Sequence, residues 1–312
     1  MLRGFLDRRY NADDLRRMAT SASLTLAISL VCLKTVGSVL TDSLSLLSSL
    51  MDSASDIVAS LGTFVGVRAA MTPADREHRY GHGKAEAMAA LGTAAFILGS
   101  ACFLLVETIN RVLTRHEVSY GNWGAAIMLV SMLLTYGLVW FQRYVVERTG
   151  SHAIAADEAH YTADFIANGA TIAALLLTAW TRFGLIDAFL GLGVAVWLVW
   201  KAVPVARGAV DMLMDHELPV VQREQILAVA NAHPHVSGVH DMRTRQAGSD
   251  IFVELHVELD GELKLRQAHA VGEQVEQAIR QTVPGADIVL HFDPAGVVER
   301  RRDDEISGEN PV

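Results

Sequence analysis

Cysteine is scarce in this chain of 312 residues, which has only Cys32 and Cys102, both inside apolar runs. That excludes a disulfide framework and a thiolate zinc site, and it argues against copper(I) as a ligand-matched ion. Any metal chemistry has to use His, Asp and Glu. Basic charge is also in deficit. The formal net charge is -9, and all of the negative excess lies late in the chain. Before position 213 there are 17 basic and 17 acidic residues, and after it 9 and 18. An acidic C-terminal part carries no electrostatic footprint for nucleic acid, so nucleic-acid binding is not expected. The beginning, MLRGFLDRRYNADDLRR, lacks a short apolar core ahead of a small-residue cleavage site. Residues 1–14 are therefore expected to be a cytoplasmic arm rather than a removable signal.

What the chain has in abundance is apolar sequence, 51% hydrophobic with a mean hydropathy of +0.28, bunched into long runs. Six segments reach the roughly 20 apolar residues that span a bilayer: about 15–37, 43–70, 87–113, 121–143, 153–181 and 184–210. Arg3, Arg8, Arg9, Arg16 and Arg17 lie in the arm or at the very start of span one, Arg68, Arg76, Arg79 and Lys84 at or between the ends of spans two and three, and Arg143 and Arg148 at or between those of four and five. The opposite loops hold only Arg111, Arg115 and Arg182. The positive-inside rule then places both termini of this multi-pass membrane protein in the cytoplasm.

After Pro219 the pattern shifts to soluble periodicities. VVQREQILAVANA reads as a helix, VHDMRTRQ and DIFVELHVELD as strands, QAHAVGEQVEQAI as a helix and ADIVLHFD as a strand. An α-β-β-α-β order suits a small α+β domain with helices on one sheet face. The expected organisation is thus a transmembrane domain over 15–212, a cytoplasmic domain over 213–298 and a charged, disordered tail over 299–312.

Two membrane segments carry ionisable pairs at helical spacing. Asp52 and Asp56 in span two, and His160 and Asp164 in span five, each share a helix face. A carboxylate in hydrocarbon costs at least about 2.5–3.5 kcal/mol, and no Lys or Arg lies near these groups in sequence to compensate. A divalent cation satisfies all four, since two such pairs on adjacent helices offer one nitrogen and three oxygens in a tetrahedron. The competing reading is that the carboxylates are protonated, or face a watery crevice as packing polar groups. Lys34, Asp42, Glu107 and Asp187 fall near span ends, where snorkelling or capping accounts for them.

Outside the spans, Asp75, His78 and His82 in TPADREHRYGHGKAEAM form a loose three-ligand set, or else a solvated loop turned by Pro73, Gly81 and Gly83. Seven of the twelve histidines follow position 213. Strand alternation puts His256 opposite Ile251, Val253, Leu255 and Val257, and puts His291 and Asp293 together on one face. If the strands are neighbours His240 joins them, and with His269 from the second helix the group makes a zinc site. Surface histidines of no function are the alternative.

The DxxxD and HxxxD pairs, YGHGKAEAMAAL, HPHVSGVHDMRTRQAG and IVLHFDP together resemble the cation diffusion facilitator family, in its bacterial zinc- and ferrous-iron-exporting branch, over about residues 13–298. The resemblance implies a homodimeric metal-proton antiporter with six membrane helices per subunit and a ferredoxin-like cytoplasmic domain. It implies Asp52, Asp56, His160 and Asp164 as the transport site, Asp75, His78 and His82 as a loop site, and the His240 cluster as a regulatory site at the dimer interface. It also implies an ion pair between Lys84 and Asp215. The cargo is expected to be Zn2+, with Fe2+, Cd2+ or Mn2+ compatible, and protons the counter-ion. The alternatives are a membrane-embedded metalloenzyme, for which no general acid or base is placed beside the quartet, a passive channel, whose flux would not respond to a proton gradient, and a metal-responsive dimeric scaffold.

Overall fold

The computed structural model describes residues 10–41, 44–114, 122–181, 186–297 and 301–307. The chain divides into two compact units, Met1–Val210 and Asp211–Val312.

Six long helices dominate the described residues of the first part of the chain: α1 (Ala12–Thr41), α2 (Leu44–Ala70), α3 (Lys84–Thr114), α4 (Asn122–Thr149), α5 (His152–Thr181) and α6 (Ile186–Leu213). At 27 to 31 residues each and 1.5 Å per residue, they exceed the about 30 Å of a hydrocarbon core. Among the described residues, stretches long and apolar enough to cross a membrane lie on four of them: Ala12–Val36, Lys84–Asn110, Ala126–Thr149 and Ala188–Leu213. The remaining two, α2 and α5, carry the Asp and His residues of the second and fifth expected spans.

Small residues set the packing. A Cβ on Gly66 of α2 would lie 2.4 Å from Cβ of Ala89 on α3, so these backbones approach closely only because Gly66 has no side chain. A shared cluster of Ile97 and Ala101 from α3, Ala159 and Ala163 from α5, and Val194, Leu198 and Ala202 from α6 buries the other side of α5. Ser151 caps α5 by accepting the N–H of Ile154 at 3.3 Å, and its own hydroxyl donates to the buried Glu86 of α3.

The second unit runs α7 (Val220–Asn231), β1 (Gly238–Ala247), β2 (Asp250–Leu259), α8 (Leu265–Thr282), β3 (Asp287–Pro294) and α9 (Arg302–Ser307). The α-β-β-α-β order read from the periodicities is the one observed, in an all-helical plus α+β architecture. The sheet order is β1-β2-β3, with β1 antiparallel to β2 and β2 parallel to β3. Helix α8 supplies the crossover that a parallel pair needs. Val253, Leu255 and Val257 alternate onto one sheet face and are buried with Ile226 of α7 and Val275 and Ile279 of α8. The intervening residues, His256 among them, face the other side. Residues Arg302–Ser307, expected to be disordered, instead form α9. Its first N–H groups are held by Asp241, which supplies the cap that the helix's own sequence lacks.

Candidate metal centres

Helices α2 and α5 bring Asp56, His160 and Asp164 together. Nε2 of His160 lies 3.3 Å from Oδ1 of Asp56 and 3.6 Å from Oδ2 of Asp164, and one ligand atom of each residue falls within 4.8 Å of the others. His160 is 4% exposed, and its Nε2 is buried without a hydrogen bond of ordinary geometry. A buried ring nitrogen facing two carboxylates at such separations is spaced for a cation between them. Asp52 lies one turn before Asp56 on α2, and its side chain falls outside the described residues.

The surroundings of His160 are polar. Three residues earlier on α5, buried Asp157 accepts the hydroxyl of Ser23 at 2.5 Å and the amide of Gln142 at 2.7 Å on one oxygen, Oδ2. Ser23 belongs to α1 and Gln142 to α4, so Asp157 joins three helices one turn before the ligands on the same side of α5. Tyr161 adds α2 to this set through Ser60 at 2.8 Å. Lys34 does not snorkel as expected: it is 9% exposed, and its Nζ donates to Ser53 Oγ at 2.6 Å, next in sequence to Asp52.

In the α2–α3 connection, Oδ1 of Asp75 lies 3.5 Å from Nδ1 of His78, and Oδ2 lies 3.5 Å from Nε2 of His82. The two rings are 4.5 Å apart between centroids. Asp75 also accepts the N–H groups of His78 and Glu77, at 2.6 and 2.8 Å. The His78 N–H is the main reason its carboxyl sits below the ordinary value. The three expected loop residues are thus mutually adjacent at the surface.

In the sheet, the register sets a row of histidines. His240 pairs with His256 across β1 and β2, and His256 pairs with His291 across β2 and β3. Ring centroids are 5.2 and 4.6 Å apart. Asp293 sits under all three: Oδ2 is 2.8 Å from Nδ1 of His256 and 3.4 Å from Nε2 of His240, and Oδ1 is 3.3 Å from Nε2 of His291. Nδ1 of His240 is buried without a hydrogen bond and lies 3.2 Å from Glu258 Oε1. His269 does not join this group within the chain. It is on α8, exposed, with Nε2 3.6 Å from Glu273.

Sequence reading missed Asp241 and Glu258 here. β1 is bulged between His240 and Arg243, and Asp241 takes φ 48°, so neighbours that alternation would send to opposite faces converge. One ligand atom each of His240, Asp241 and His256 then lies within 4.8 Å of the others. Burial tends to raise the carboxyl pKa of Asp241, but the N–H groups of Arg302 and Asp303 outweigh it and hold the value below the ordinary one. Asp215, expected to pair with Lys84, has Oδ1 3.4 Å from Nη1 of Arg245 within the second unit.

Known proteins share this arrangement of sequence. Residues 21–214 match the model of the cation efflux transmembrane domain, and residues 218–295 that of the cation efflux protein cytoplasmic domain. The chain is 40% identical over 282 residues to the cation-efflux pump FieF of Salmonella arizonae and 41% identical over 282 residues to that of Citrobacter koseri. Each match covers 90% of this chain and 94% of the relative. Among solved structures, the metal-bound C-terminal domain of the CzcD transporter from Thermotoga maritima is 27% identical, with a TM-score of 0.25, over 26% of this chain and 94% of that domain. Carrying both domain matches and 40% identity to named efflux pumps along nine-tenths of its length, the chain belongs to the cation efflux, or cation diffusion facilitator, family and is a membrane transporter rather than an enzyme.

Proposed function

We propose that this protein exports divalent transition-metal ions, Zn2+ foremost with Fe2+ and Cd2+ as further cargo, across the cytoplasmic membrane in exchange for protons. The observation that carries the reading is His160: a buried imidazole whose Nε2 has no hydrogen bond and faces Asp56 and Asp164 from 3.3 and 3.6 Å. Asp52, one turn from Asp56, completes a quartet of one nitrogen and three oxygens by helical spacing. Binding needs neutral imidazole and ionised carboxylates, so loading the ion releases protons and reprotonation expels it. Helices α2 and α5 present the site alternately to the two sides by rocking against the other helices.

The same reading makes the protein a homodimer with both termini cytoplasmic. His240, His256, His291 and Asp293 would hold a regulatory zinc ion, and the hydrogen-bond-free Nδ1 of buried His240 fits that role. Bound zinc would neutralise the carboxylates gathered there and bias the transport equilibrium. Asp75, His78 and His82 form a weaker surface site.

Equilibrium zinc binding to the detergent-solubilised full-length protein tests the transport site. One class of sites should disappear in both Asp56→Ala and His160→Ala while the others persist. Unchanged stoichiometry in both variants would remove the quartet from the account.

A further inference from the structure

We propose that the C-terminal segment Arg301–Ser307 is a strap that closes over the His240 cluster and is displaced when zinc binds there. The inference rests on reading that cluster as a metal site, and concerns how access to it is controlled. Both oxygens of Asp241 are engaged by the strap: Oδ2 accepts the N–H of Arg302 at 3.0 Å and Oδ1 that of Asp303 at 2.9 Å. The contact is reciprocal, since the N–H of Asp241 donates to Oδ2 of Asp303 at 2.8 Å. A second tie lies beside it, where Nη2 of Arg301 is 2.5 Å from Oε1 of Glu258.

Each tie ends on a carboxylate that also faces His240. Oε1 of Glu258 is 3.2 Å from His240 Nδ1, and Asp241 is within ligand reach of His240 and His256. A zinc ion that recruits Asp241 draws off carboxylate charge that the two cap N–H groups share and reorients its oxygens, which weakens the cap of α9. It also places a divalent charge near the Arg301 guanidinium, which the Glu258 carboxylate now steadies. With its cap weakened, a six-residue helix has too few internal bonds to persist. Docking of the strap and zinc binding therefore oppose one another. Linkage makes the effect reciprocal: whatever frees the strap strengthens zinc binding by the same factor. The matched cytoplasmic-domain region ends at residue 295, so the strap lies outside it.

The test is hydrogen–deuterium exchange on the full-length protein in detergent, with and without Zn2+, followed in the peptide covering 301–307. Zinc should speed exchange there in the wild type and leave it unchanged in His256→Ala. In an Asp56→Ala background, calorimetry isolates the cluster as the zinc binding that His256→Ala removes. Asp303→Ala, and separately truncation after residue 300, should tighten that binding by about fivefold or more, within the usual range of site-to-site coupling. Zinc that binds the cluster yet leaves 301–307 protected, with affinity unaltered by either change, overturns the strap and spares the site. Absence of any His256-dependent zinc binding overturns both.

Discussion

Asp157 is the buried group whose removal should tell most about how the ligand face is held. Its Oδ2 receives Ser23 at 2.5 Å and Gln142 at 2.7 Å. In Asp157→Ala both donors lose that acceptor but keep another partner. Gln142 still reaches Ser23 Oγ at 2.9 Å, and Ser23 still reaches the carbonyl of Ala19 at 3.1 Å. The loss is then two hydrogen bonds of about 1 to 1.5 kcal/mol each with no fully stranded donor, about 2 to 3 kcal/mol in total. Asp157→Asn keeps an acceptor oxygen at the same place and should lose about 1 kcal/mol or less. The assay is the rate of thermal inactivation at fixed temperature in detergent, with half-saturating zinc measured alongside in vesicles. Alanine should inactivate roughly fivefold or more faster than asparagine, and should weaken zinc half-saturation because α5 is released from α1 and α4 next to His160. Equal stability of the two variants would refute the claim that the acceptor atom is what matters.

Three further outcomes follow from the same geometry. Gly66→Leu has to push α3 away, because even a Cβ there meets Ala89 at 2.4 Å; a loss of about 1 to 3 kcal/mol and lowered transport are expected, read as inactivation rate and zinc flux. Leu255→Ala empties a 1% exposed position in the sheet core and should destabilise the second unit by about 2 to 5 kcal/mol, seen as denaturant-induced unfolding of that unit at lower concentration. Asp75→Asn should abolish any zinc binding that depends on His78 and His82, since it removes the one carboxylate between them; binding that persists would show the loop to be only a solvated turn.

The i, i+4 pairs were legible in the sequence because helical spacing alone puts such residues on one face, and charge in an apolar run stands out. The histidine row was legible for a similar reason. Period-two alternation fixes the face of His256, and the register supplies its neighbours at His240 and His291. Asp157 was not legible, because near a helix start it reads as an ordinary solvated acid, and its partners lie 134 and 15 residues away. Asp241 escaped because a bulge and a positive φ break the alternation rule. The charged tail looks disordered by composition, and only a cap from a residue 61 positions earlier makes α9. Lys34 looked like a snorkelling side chain, since nothing local announces Ser53 on the next helix.

The central claim is best tested in proteoliposomes with an acidic lumen, measuring zinc entry and lumenal pH together for wild type and Asp56→Ala. Coupled antiport predicts zinc entry matched by a rise in lumenal pH, both lost in the variant. Zinc entry that ignores the proton gradient and survives Asp56→Ala would contradict it.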